Sequence, residues 1–120
     1  EGAAVYLERL RRLVGDDREA LEEVASQYED LGYPQEAVET FEQLIDLDPG
    51  EDSYYFSQAR ILLTTIGDER NGLIALENAV ERGFSDEAAL AALLASEDLV
   101  APVQVEAILA EYDRLPQDSE

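Results

Sequence analysis

Carboxylates are the groups with which this chain would do chemistry: 29 of its 120 residues are Asp or Glu, against 8 basic ones, for a formal net charge of -21. Paired carboxylates serve glycoside hydrolysis and the binding of divalent cations. With acids this numerous, some pair stands at a suitable spacing by chance, so no single pair is informative. His and Cys are both absent. Their absence removes the commonest general base, the commonest metal ligands and every Ser-His or Cys-His nucleophile. The stretch Asp46-Leu47-Asp48-Pro49-Gly50-Glu51-Asp52 is similar to a calcium loop, but such a loop needs Gly in the sixth place and Glu in the twelfth. Counted from Asp46, Gly50 is fifth and Ser57 is twelfth, so the stretch reads as a turn between helices. No Gly-rich phosphate loop, HExxH or nucleophile elbow occurs. The residues point away from an enzyme, and they suggest no metal, cofactor or small-molecule substrate.

Binding is the remaining chemistry. All eight basic residues are Arg and Lys is absent. Nucleic acid and anionic membrane surfaces require a basic face, so the expected partner is another protein or peptide, basic in character. The charge is uneven. Residues 1–18 balance Glu1, Glu8, Asp16 and Asp17 against Arg9, Arg11, Arg12 and Arg18, so the rest of the chain carries the whole -21. Arg9, Arg11 and Arg12 read either as an anion-binding patch or as cations matched to a helix C-terminus and acidic neighbours, and the second reading is adopted. Tyr54-Tyr55-Phe56 reads either as an aromatic ligand shelf or as core, and core is adopted. Acid gain with lysine loss is a halophile-like composition, with a basic partner as the other explanation for it.

The longest apolar run, Ala88 to Ala95, falls far short of the ~20 residues that span a bilayer. With no charged-then-apolar leader at the N-terminus, the expectation is a soluble, cytoplasmic protein. No Met occurs, so a segment preceding Glu1 is expected.

Helices must position these groups. Between Arg18 and Pro49, Leu21, Val24, Ala25, Tyr28 and Leu31 recur at helical spacing, with Glu19, Glu22, Glu23, Glu29 and Asp30 between them. Ala37, Val38, Phe41, Leu44 and Ile45 form the next stripe, and Pro49 ends it. Two short helices joined tightly at Leu31-Gly32-Tyr33-Pro34 pack antiparallel.

This stretch resembles a tetratricopeptide (TPR) repeat, whose pattern is W-x2-L-G-x2-Y, then A-x3-F, then P. Tyr28, Ala37, Phe41 and Pro49 match in identity, while Leu21, Val24 and Ala25 depart conservatively, Ala25 keeping a small residue where the helices cross. The expected repeat core is Leu21, Val24, Ala25, Tyr28, Ala37, Phe41, Leu44 and Pro49. The resemblance implies a non-catalytic protein-interaction scaffold in which the first helices of successive repeats line a groove. Here the corresponding residues are Glu19, Glu22, Glu23, Ser26 and Glu29 from one helix, with Phe56, Ser57 and Arg60 from the next. TPR domains that capture acidic tails use Lys and Asn on those helices. This chain has Glu19, Glu22 and Glu23 there instead, so a basic or extended segment is expected. The alternative is a structural or end unit of a longer helical-repeat array with no ligand of its own.

The rest of the chain extends the pattern. Residues 3–15 carry Ala3, Leu7, Leu10 and Val14 in helical steps, capped by Gly15 and similar to the second helix of a preceding repeat. Asp16 or Asp17 caps the next helix. Residues 52–84 form a divergent repeat: Gly67-Asp68 breaks it as Leu31-Gly32 broke the first, and Gly72, Leu76, Ala79 and Phe84 stand where Ala37, Phe41, Leu44 and Pro49 stood. Its first helix is one residue longer, and Ile61 to Ile66 has strand propensity although its neighbours favour helix. Residues 85–115 form a degenerate terminal pair, capped by Ser85 or Asp86, with an Ala- and Leu-rich helix expected to be buried on most sides and with Pro102 in the first turn of the last helix. Residues 116–120 read as a frayed tail. The sequence predicts one all-α domain over residues 1–120, a right-handed stack of antiparallel hairpins forming an α-solenoid fragment of about six to seven helices.

Overall fold

Three aspartates start helices in a computed structural model that describes residues 2–116. Asp17, Asp68 and Asp86 each accept the backbone N–H three positions on, at 3.2 Å. Each satisfies a donor that the first helical turn leaves without an internal partner. The helices are α1 (Ala3–Val14), α2 (Arg18–Asp30), α3 (Pro34–Leu47), α4 (Asp52–Arg60), α5 (Glu69–Glu81), α6 (Glu87–Ala95) and α7 (Pro102–Glu111), with no strand among the described residues. Pro34 and Pro102 open α3 and α7, where a missing N–H leaves no bond unmade. In the turns that follow α2 and α4, Gly32 (φ 87°) and Gly67 (φ 83°) take the left-handed backbone that glycine adopts without strain.

α2 packs on α3 and α4 on α5 as two hairpins, α1 lies against α2, and α3 meets α4. The resulting stack is elongated, 45 × 28 × 27 Å. α4 is the wall shared by two apolar clusters. On one side Tyr54 and Ile61 close against Leu7, Leu21, Val24, Ala25, Tyr28, Ala37, Phe41 and Leu44. On the other, Tyr55, Phe56, Ala59, Leu62 and Leu63 close against α5, Phe84 and the buried side chains of α6 and α7. Pro49, expected in the repeat core, is exposed. Its carbonyl is the part that is used, accepting from the Tyr55 hydroxyl at 2.8 Å and from Arg82 Nε at 3.0 Å.

The chain continues from α4 through a π-helical stretch, Ile61–Ile66. The additional residue that distinguishes this helix from α2 is taken up as a widened turn, so the strand propensity of Ile61 to Ile66 is overridden by burial in a helical stack. The Leu63 carbonyl accepts from Val100 N at 2.9 Å, which ties the segment before α7 to the second hairpin. Gly72 of α5 crosses this stretch so closely that a Cβ there would stand 2.5 Å from Leu63 Cγ.

α6 departs from expectation. It buries only Leu90 and Leu93, while Ala88, Ala91, Ala92 and Ala95 are exposed. Its alanines report helix propensity rather than burial. Of the tail expected to fray, residues 117–120 lie outside the described residues, as does Glu1.

Candidate protein-docking face

α2 and α4 lie side by side and are joined by two polar links. Near the start of α4, the Tyr54 hydroxyl donates to Glu22 Oε2 at 2.6 Å and accepts from Arg18 Nε at 3.2 Å. Arg18 also lies over the Tyr54 ring, 5.9 Å from its centroid, and reaches Asp48 at 3.4 Å. Burial, then the Glu22 carboxylate, push the Tyr54 phenol above its ordinary pKa, so it stays a neutral donor. At the other end of α4, the Arg60 guanidinium grips both oxygens of Glu29, with Nη2 to Oε1 at 3.1 Å. Bidentate pairs of this kind fix geometry as well as charge.

The expected groove residues divide accordingly. Glu19, Glu22, Glu23 and Ser26 are exposed on α2, Ser57 and Arg60 are half-buried on α4, and Glu29 is half-buried against Arg60. Phe56 is not on this face. It is 6% exposed and stacks on Phe84, with ring centroids 4.3 Å apart and planes 9° from parallel. Three successive helical residues span about 200° around the axis, and α4 is covered on both flanks, so Tyr54 turns toward the first hairpin and Phe56 toward the second. Tyr54, Tyr55 and Phe56 are all buried.

The two cross-links were not legible in the residue pattern. Acids on α2 facing a Tyr and an Arg on α4 carry a signal only once the two helices are known to be neighbours. Beside the first link lies a shallow, open acidic depression bordered by Asp17, Glu19, Glu22 and Glu23, all from α2 and its cap and none from α4. None of these four carboxylates is in an ion pair among the described residues. Three are held by neutral donors: Asp17 by the Ala20 backbone N–H at 3.2 Å, Glu22 by Tyr54, and Glu23 by Gln27 Nε2 at 3.1 Å.

Of the three arginines of α1, Arg9 is exposed and the other two are engaged elsewhere. Arg11 pairs with Glu8 at 3.1 Å and approaches Glu39 at 3.9 Å, and Arg12 reaches Glu8 at 3.1 Å. Burial raises the Glu8 carboxyl, but the two guanidiniums outweigh it and hold the group below its ordinary range. Among the described residues, no three His, Cys, Asp or Glu side chains are grouped to hold a metal ion, and no helix is long and apolar enough to cross a membrane.

No protein-family model matches the chain, and no curated protein does. Among solved structures it is similar to the crystal structure of MamA, with a TM-score of 0.60 and 19% identity, covering 90% of this chain and 57% of that one. The fold is a TPR-like helical repeat. At this identity the likeness is one of architecture, and the chain spans little more than half the length of the MamA chain. In a TPR-like stack, α2 and α4 are the first helices of successive hairpins.

Proposed function

We propose that the chain is a non-catalytic protein-interaction scaffold whose α2–α4 face takes a basic, extended segment of a partner protein. The observation that supports this reading is the unpaired acidic depression beside two spent arginines. Arg18 and Arg60 already serve Tyr54, Asp48 and Glu29, so among the described residues the carboxylates of Glu19 and Glu23 have no cation of their own and Glu22 has only the field of Arg18 across the shared Tyr54 hydroxyl. A segment bearing Arg or Lys supplies it. The field of a chain with net charge -21 speeds such an encounter and repels an acidic tail. At the Glu29–Arg60 end the charges cancel, so the partner's cations belong along the N-terminal half of α2.

The test is a triple variant, Glu19→Gln, Glu22→Gln and Glu23→Gln, at three exposed positions, with the amide oxygen at position 22 left to accept from the Tyr54 hydroxyl. Affinity for an Arg-containing peptide is expected to fall about tenfold or more, equivalent to about 1.4 kcal/mol. An unchanged affinity would contradict the reading. The other reading, a unit of a longer helical array, is favoured by the exposed aliphatics of the first and last helices, Leu13 at 83% and Val103 at 73%. On that reading no peptide binds saturably to the α2–α4 face.

A further inference from the structure

A second groove lies on the side of the second helices, with α3 and α5 as its walls and α4 with the π-helical stretch beneath, enclosing about 480 Å³. Val38 and Ile45 from α3, Leu62 from the floor and Ile74 from α5 give it an apolar interior. Ile74 is 50% exposed. Ile74 does not stand alone there: the half-buried Val38 and Ile45 adjoin it, so the apolar surface is continuous across the groove rather than a single exposed side chain.

The polar lining is specific. Its only charged members are carboxylates, Glu42 on the α3 wall and Asp68 at the start of α5. Both are held in place. The buried Gln58 donates from Nε2 to Glu42 at 3.2 Å and to the Val38 carbonyl at 3.1 Å, and Asn71 donates to Asp68 from its side chain at 2.8 Å. The Gln35 amide has no partner among the described residues, and the Asn78 amide nitrogen donates to nothing there while its oxygen accepts from Arg82 Nη1 at 3.4 Å. A primary amide offers a donor and an acceptor side by side, which is what an extended peptide backbone presents in return.

We propose that this groove is a second docking site, for an extended peptide that seats one aliphatic side chain against Ile74, Val38 and Ile45. Its backbone lies on the Gln35 and Asn78 amides, and its Lys or Arg side chains reach Glu42 and Asp68. Charge complementarity selects the occupant: two fixed carboxylates on opposite walls and no basic residue in the lining exclude an acidic segment. The volume is in the range of small-ligand sites and suits a few residues of peptide. No lining residue is shared with the α2–α4 face, so the two sites fail independently.

The experiment uses protein labelled at the Ile methyl groups and at the backbone amides, with the blocked peptide Gly-Lys-Gly-Leu-Gly-Lys-Gly, followed by NMR. The Ile74 and Ile45 methyls are expected to shift saturably at millimolar peptide. Affinity is expected to drop about fivefold with Ile74→Asn, with Gln35→Ala at an equally exposed position, and with Ser in place of the peptide's Leu. Shifts confined to the amides of α2, with Ile74 and Ile45 still, would overturn the proposal while leaving the α2–α4 reading intact. So would the absence of any saturable shift. Shifts of Ile74 on concentrating the protein without peptide would assign the groove to a second copy of the chain and equally overturn it.

Discussion

The hydroxyl of Tyr54 on α4 donates to Glu22 on α2 across 2.6 Å, joining the first helices of adjacent hairpins through a phenol that is 3% exposed. The aromatic ring belongs to the core and its oxygen to the α2–α4 face, so one residue couples stacking to the surface. Tyr54→Phe keeps the ring and removes the link. Because the hydroxyl also accepts from Arg18 and both partners are charged, unfolding in urea is expected to show a loss of about 1.5–3 kcal/mol. A change indistinguishable from zero would mean that the link does not contribute to holding the hairpins together.

Gly72→Ala is expected to destabilise, against the usual rule that alanine improves a helix by about 1 kcal/mol over glycine. The new Cβ would stand 2.5 Å from Leu63 Cγ, and overpacking of this kind costs about 1–3 kcal/mol. Leu63→Ala creates the space. The double variant is therefore expected to lose less than the sum of the two single losses, read from urea midpoints. A more stable Gly72→Ala protein would contradict the close crossing of α5 over the π-helical stretch.

The alkaline limb of stability is set by tyrosines. Burial, then the carboxylates of Glu81 and Glu77 that accept from its hydroxyl, push Tyr112 up to about 12. An unfolded phenol ionises near pH ~10. Between those values the unfolded chain has released a proton that the folded chain still holds, so the contribution of Tyr112 is complete below pH ~10 and disappears as pH rises toward the folded value. Tyr28 and Tyr54 are raised as well and act in the same direction. Melting temperature is expected to fall across this window, and to fall less steeply in Tyr112→Phe. Parallel curves for the two proteins would count against the bridge between α7 and α5.

The charge pattern predicts a response to salt. Like charges a helical turn apart each destabilise by a few tenths of a kcal/mol, and the Debye length shrinks from about 10 Å at 0.1 M to about 3 Å at 1 M. Thermal unfolding in an NaCl series at neutral pH is expected to shift upward to molar salt, by more than in an uncharged osmolyte that is excluded from the surface equally. A flat or falling melting temperature would assign the acidic surface to a basic partner alone.

Much of this fold was legible because local rules agree with the global one. Asp17 and Asp86 were among the proposed caps, Gly32 and Gly67 marked the turns, and the stripe from Leu21 to Tyr28 is buried as its spacing requires. The single additional residue before Gly67 shows in the sequence as a register mismatch, and the π-helical turn that absorbs it is set by packing that spacing does not record. The docking face was less legible. Glu29 and Arg60 were each placed on it, but their pairing depends on how two helices lie side by side, which no spacing within one helix records. Phe56 was misplaced for a related reason. On a helix covered along both flanks, helical spacing does not separate a surface position from a buried one. α6 shows the converse, since its exposed alanines satisfy propensity without a neighbour to cover them.

The central claim is that the α2–α4 face selects a basic segment by charge. Calorimetric titration of two peptides with the same backbone, one bearing Arg and the other Glu at the same positions, at low and at high salt, tests it most directly. The account predicts saturable binding of the Arg peptide at a single ratio, weakening as salt rises, with no binding of the Glu peptide. Tight binding of the Glu peptide, or an Arg-peptide affinity unchanged by salt, would contradict it.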